Sequence, residues 1–180
     1  MTQRLNEKQI AELLDRLADR VAEALAAEAP PESPTPLALV GIRSRGEIFA
    51  HRLQSRLEQR WGGQVDCGTL DITLYRDDLN QMGYQQPRVR STEIPFSIDD
   101  RVILLVDDVL NTGRSVRAAL DALVDFGRPK AIRLAVLIDR GHRELPISAD
   151  YVGIVLEAPI DKRVNVYVRE VDDREEVVVE

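Results

Sequence analysis

Val102-Ile103-Leu104-Leu105-Val106 is an unbroken run of branched apolar side chains. With no position that turns toward water, such a run fits a strand buried on both faces, the environment of a parallel sheet covered by helices. It is followed at once by Asp107-Asp108-Val109-Leu110-Asn111-Thr112-Gly113-Arg114-Ser115, and then by Val116, Leu120, Leu123 and Val124 at helical spacing up to Gly127.

The same order recurs elsewhere in the chain. Leu37 to Ile42 is a short apolar run ending in Gly41-Ile42-Arg43-Ser44-Arg45-Gly46, with a helix predicted from Glu47 to about Arg60. Ala131 to Ile138 reads as another buried strand, and Gly68 to Tyr75 alternates enough to be one. Strands alternating with helices favour a parallel α/β sheet, because parallel neighbours need crossover connections. Ile10, Leu13, Leu14, Leu17, Val21 and Leu25 place an amphipathic helix at the front, with Asn6 and Gln9 spaced as a capping box. Pro30, Pro31, Pro34 and Pro36 make the following stretch a stiff connector. Arg76 to Arg90 is a long polar stretch, and loops of that length are functional or disordered. Tyr151 to Leu156, Val164 to Val168 and Val177 to Val179 are predicted as short strands of a small C-terminal antiparallel cap. The expected fold is therefore α/β: a central, mainly parallel sheet flanked by helices, with a small C-terminal strand cap, in a single domain spanning 1–180.

At 180 residues and 44% hydrophobic, the chain can bury a sizeable core. The single cysteine, Cys67, has no internal partner, and no Cys/His cluster is spaced to hold zinc. No apolar run approaches the ~20 residues of a membrane span, and no signal pattern opens the sequence, so a cytoplasmic protein without membrane contact is expected. A net charge of −7 disfavours non-specific attraction to a polyanion, and aromatic content of 4% leaves little to stack on bases.

In open α/β sheets ligands gather at the carboxyl ends of strands, which directs attention to the segment after Val106. A helix start offers free N–H groups and the positive end of its dipole, suited to a phosphate. Gly113 lets the backbone approach closely, Thr112 and Ser115 add hydroxyls, and Arg114 adds charge. A phosphate alone would not need Asp107 and Asp108. Adjacent carboxylates make sense where the ligand also carries vicinal hydroxyls or a divalent cation, and a ribose 5-phosphate has both hydroxyls and phosphate. The alternative is an ordinary loop whose acid pair caps the helix. Neither G-x-x-x-x-G-K-[ST] nor a G-x-G-x-x-G after a strand is present.

Val102 to Ser115, V-I-L-L-V-D-D-V-L-N-T-G-R-S, closely resembles the signature for 5-phosphoribosyl-1-pyrophosphate (PRPP) of type I phosphoribosyltransferases. Leu70 to Leu79 (L-D-I-T-L-Y-R-D-D-L), Leu120 to Pro129, and Asp139 to Ile147 (D-R-G-H-R-E-L-P-I) look like the PyrR family, bifunctional pyrimidine-operon regulators with uracil phosphoribosyltransferase activity. The match runs from Leu37 to Val152 and fades at both ends. The resemblance implies conversion of uracil and PRPP to UMP and pyrophosphate, with Mg2+ as cofactor and UMP or UTP as further ligands. Asp107, Asp108, Arg43 and Arg76 would be the catalytic set. Arg43, Ser44, Arg45 and the segment Asp107, Asp108, Val109, Leu110, Asn111, Thr112, Gly113, Arg114 and Ser115 would bind PRPP, and the Arg43–Ser44 peptide would be cis. Asp139, Arg140 and Val164 would meet the base, and Arg76 to Arg90 would form a lid. No metal ligand is assigned firmly; Asp107 and Asp108 would act on Mg2+ indirectly. His142 is expected to make a structural hydrogen bond, and a homo-oligomer is implied.

RNA-binding members of that family carry R-A-D-[FY]-V-G-K where this chain has Ser148-Ala149-Asp150-Tyr151-Val152-Gly153-Ile154, and T-R-I-A-H where it has Asp15-Arg16-Leu17-Ala18-Asp19. The family's P-T-S is nearest to Pro159-Ile160-Asp161. Lost cations and gained carboxylates weaken phosphate contacts, so attenuator RNA is disfavoured as a partner. A PRPP sensor without turnover, or a transferase for another base, is the remaining alternative.

Overall fold

The computed structural model describes residues 4–28, 37–77 and 90–180. The proline connector and the span 78–89 of the expected lid lie outside the described residues. In chain order the elements are β1 (Arg4–Asn6), α1 (Glu7–Glu28), β2 (Leu37–Ile42), α2 (Arg45–Trp61), β3 (Asp66–Leu70), a 3-10 turn (Thr73–Tyr75), β4 (Val102–Leu110), α3 (Arg114–Val124), β5 (Ala131–Asp139), β6 (Tyr151–Val155), β7 (Val164–Tyr167), α4 (Arg169–Asp172) and β8 (Glu176–Val179).

Five strands form one all-parallel sheet in the order β3-β2-β4-β5-β6. β4 is its centre, and from Val102 to Val106 its side chains alternate between two cores as the two-residue strand period requires, the phase changing across Asp107 and Asp108 so that Val109 packs on the first face and Leu110 on the second. Val102, Leu104 and Val106 join the α1/α2 face with Phe49, Leu53 and Leu57. Ile103, Leu105 and Leu110 join the opposite face with Val116, Ala119 and Leu123 of α3. The apolar stripe expected for α1 is buried at every position named for it, and Asn6 and Gln9 exchange side-chain-to-backbone hydrogen bonds of 2.9 and 3.0 Å.

Three boundaries differ from expectation. β3 ends at Leu70 because Asp71 turns its carboxylate onto the amide and hydroxyl of Thr73, at 2.9 and 2.5 Å, and folds the next residues into the 3-10 turn. β4 runs on to Leu110, so the two acids close the strand itself. Tyr151–Val155 is no part of the cap: β6 pairs parallel with β5, Ala135 opposite Tyr151. Asp150 fixes that entry, its amide donating to the Leu134 carbonyl at 2.9 Å and its carboxylate accepting the Leu134 amide at 2.8 Å. The cap is a second, antiparallel sheet in the order β1-β8-β7, which takes its third strand from the amino-terminal side.

Arg52 of α2 docks that cap. It donates to Glu170 at 2.7 Å and to both carboxylate oxygens of Glu175, whose side chain is 7% exposed against 47% for Glu170. Removing one partner of a buried pair strands the other charge, whereas exposed pairs contribute little. Arg52→Met is therefore expected to lower stability by about 3 kcal/mol. Glu170→Gln should cost less than about 1 kcal/mol. Urea midpoints of the two variants check the contrast.

Candidate active site

The strand order reverses between β2 and β4: the chain leaves β2 toward β3, then returns to the other side of β2 as β4. Such a switch point opens a crevice at the carboxyl ends of the strands. Gly41 lies opposite Val106 in the register, so the loop Arg43–Gly46 emerges beside Asp107. The approach is close enough to require a missing side chain: a Cβ on Gly46 would stand 2.5 Å from the Val106 carbonyl oxygen and 3.1 Å from the Asp107 Cα. The Arg43–Ser44 peptide is cis.

Asp107 is buried and Asp108 half-buried. The Asp107 carboxylate accepts the amide of Asp108 at 2.9 Å, and the Asp108 carboxylate accepts that of Val109 at 2.9 Å. Burial pushes both acids above the usual carboxylate range. Asp107 goes further because Asp108 repels its charge, while Asp108 is partly relieved by the Asp107 hydrogen bond and by Arg45. After them Gly113 takes φ +92° and opens α3, a conformation that a side chain would strain.

The arginines expected at the site are held by carboxylates. Arg43 donates from Nη2 to Thr69 Oγ1 at 3.0 Å and Glu93 at 3.3 Å, and lies 3.3 Å from Glu47 through Nη1. Arg45 grips both oxygens of Asp172, at 2.9 and 3.1 Å, from the far end of the chain. Each keeps a buried Nε without a partner. Arg114 is engaged by Glu144 and Asp77, both at 2.7 Å. Arg76 is exposed, just beyond the 3-10 turn.

At the end of β5, burial opposes ionisation of Asp139, but hydrogen bonds from Arg143 and the Gly141 amide outweigh it and hold the carboxyl below its ordinary range. Arg140 is buried and donates to the Pro159 carbonyl at 3.2 Å. His142 bonds the Ala158 carbonyl through Nε2 at 2.7 Å. Val164 opens β7 in the cap, half-buried against the α1/α2 core. Sequence reasoning misses Thr69, Glu93, Asp172, Arg143 and Glu144. Arg143 and Glu144 stand inside the D-R-G-H-R-E stretch quoted for the resemblance. Asp172 has no sequence signal, since its role depends on how the cap docks.

The donor set limits how Mg2+ could be held. No group of three or more His, Cys, Asp or Glu gathers among the described residues. Two carboxylates leave most of an octahedral shell to other oxygens. The residues thus fit a cation that arrives on a phosphorylated ligand, with Asp107 and Asp108 supplying nearby negative charge.

With an acid pair closing the central strand at a topological switch point, a glycine-opened helix after it and an arginine loop beside it, the fold is that of the phosphoribosyltransferases. Residues 5–172 match the phosphoribosyl transferase domain model. Solved structures with this fold include a hypoxanthine phosphoribosyltransferase of Trypanosoma cruzi, at TM-score 0.73 and 23% identity over 98% of this chain and 90% of that one. Another, from Staphylococcus aureus, has TM-score 0.67 and 21% identity over 97% and 88%. The chain belongs to the PyrR family within that class. It is 47% identical to the bifunctional protein PyrR of Syntrophobacter fumaroxidans, covering 98% of this chain and 91% of the relative. For the bifunctional protein PyrR of Thermus aquaticus the identity is 49%, over 96% and 92%. No helix among the described residues is long and apolar enough to cross a membrane.

The raised acid pair has a thermodynamic signature. A carboxyl whose folded value exceeds its unfolded value favours the fold fully below the unfolded value and loses that contribution as pH rises through the folded one. Asp107→Asn, which keeps the oxygen that accepts the Asp108 amide, is expected to raise Tm of the ligand-free protein by about 2–4 °C at pH 8. The gain should vanish toward pH 4, a trend that calorimetric scans across pH would follow.

Proposed function

We propose that the protein is a uracil phosphoribosyltransferase, joining uracil to PRPP to give UMP and pyrophosphate. The observation that carries this is the Asp107–Asp108 pair, withdrawn from water at the end of β4 and set against the Arg43–Gly46 loop by the Gly46 contact. The acids accept the ribose hydroxyls, while Leu110 to Ser115 wrap the 5-phosphate at the mouth of α3. Arg43 and Arg45, each with a buried donor unfilled, turn toward the departing pyrophosphate. Displacement at C1 by a ring nitrogen leaves positive character on the sugar and negative charge on the leaving group, so this chain's residues act by positioning and charge compensation. Bound Mg2+ supplies further neutralisation of the pyrophosphate. Asp139, Arg140 and Val164 meet the base, and Arg76 with the segment up to Arg90 closes over the site. The choice of uracil follows the PyrR relatives, because the purine transferases that share the fold at low identity carry no information about the base.

Incubation with PRPP, Mg2+ and, in turn, uracil, hypoxanthine, guanine and orotate tests the assignment: uracil alone is expected to yield nucleotide. In the same assay Asp107→Asn, although more heat-stable, should be slower by about 100-fold. Nucleotide from another base would move the specificity, and PRPP binding without any product would make the protein a sensor.

The bifunctional naming of the relatives supports a second reading, binding of pyrimidine leader RNA under control of UMP or UTP. Against it, Asp15 and Asp19 of α1 stand at the expected contact face, and there they neutralise Arg56 and Arg60 at 2.8 and 2.6 Å. Ile154 fills a position where a cation would be needed. Filter binding at low salt with UMP is expected to show weak, sequence-independent retention; nanomolar, sequence-dependent binding would restore the RNA role.

A further inference from the structure

Arg143 follows β5 and packs against the segment after β4, where its guanidinium donates in several directions at once. Nη1 reaches the carbonyls of Asn111 at 2.9 Å, Gly141 at 3.1 Å and Leu110 at 3.4 Å. Nε donates to the Ile147 carbonyl at 3.0 Å, and Nη2 to Asp139 Oδ2 at 2.5 Å. The neighbouring backbone completes the pattern. The Arg140 amide donates to the Leu110 carbonyl at 3.0 Å, and the amides of Glu144 and Leu145 donate to the Thr112 carbonyl at 3.0 and 3.1 Å.

Three consecutive carbonyls, of Leu110, Asn111 and Thr112, are therefore drawn toward the segment 140–145. In a planar trans peptide the carbonyl oxygen of one residue and the amide of the next point in opposite directions. The amides of Asn111, Thr112 and Gly113 are thus turned the other way, and among the described residues none donates to a protein backbone acceptor. Three aligned N–H groups at the start of a helix form an anion-binding concavity. In a free chain each of those peptide planes can rotate, and the entropy of ordering them would fall on ligand binding.

We infer that Arg143 is a positioning residue that preorganises the 5-phosphate cradle: it holds the carbonyls of Leu110 and Asn111 back so that the following amides face the ligand. The inference rests on reading residues 110–115 as that cradle. Asp139 is the anchor of the device, one carboxylate oxygen on Arg143 and the other accepting the Gly141 amide at 2.9 Å. A guanidinium is required because its fixed fork serves acceptors on several sides; a lysine ammonium can satisfy Asp139 but not the carbonyls as well. Glu144, next in sequence, supplies its amide to Thr112 and its carboxylate to Arg114. One short segment thereby braces the cradle from Leu110 to Arg114.

Calorimetric titration of the whole chain with ribose 5-phosphate, and separately with magnesium pyrophosphate, tests this. Arg143→Met is expected to lose about 10-fold in ribose 5-phosphate affinity. Pyrophosphate, held by the loop at Arg43–Arg45, should bind within about twofold of the wild type. In turnover the loss should appear as a raised KM for PRPP with kcat changed less. Where Arg143→Met does not stay folded, Arg143→Lys carries the test, with the same pattern in smaller measure. Unchanged ribose 5-phosphate affinity in a folded variant overturns the role of Arg143, and so does an equal loss for both ligands, which would mark a general loosening. A wild-type chain that binds no ribose 5-phosphate removes the cradle reading, and this role falls with it.

Discussion

The pairing of β4 with β2 on one side and β5 on the other governs everything else in this molecule. Parallel strands in register end at the same height, so three loops from distant parts of the sequence emerge side by side. Gly41 opposite Val106 sets the arginine loop against the acids, and Leu110 opposite Asp139 sets the turn that leads into α3 against the D-R-G-H-R-E segment. The apolar run that makes this register firm is buried on both faces, where a slip of one residue would exchange two cores.

Against that rigid floor the site is built from groups that the fold alone does not favour. Two adjacent carboxylates are withdrawn from water, and arginine Nε atoms lie buried without acceptors. Such arrangements persist where a ligand completes them. Arg43, Arg45 and Arg114 are each engaged by carboxylates of the chain itself, so their charges are balanced within the fold.

Much of this is legible in the sequence wherever a local rule decides. The unbroken apolar run of Val102–Val106, the stripe of α1 and the Asn6/Gln9 cap all state their own conformation. Partners do not. Tyr151–Val155 and Val164–Tyr167 are both short and largely apolar, and nothing within them says that one joins the parallel sheet and the other the cap. Asp71 ends β3 through a side-chain contact two residues away, invisible to a periodicity count. Arg143 is in plain view inside a recognised stretch, but its role exists only because four carbonyls converge on it, and Asp172 acquires its role through tertiary docking.

The grip of Asp172 on Arg45 spans a separation of 127 residues. A chain that emerges from the ribosome in order therefore presents both loops of the crevice, with β2 and β4 already able to pair, well before the residue that quiets Arg45 has been made. Until then Arg45 lacks the carboxylate that grips it from two oxygens, and the Asp108 charge beside it is what balances it.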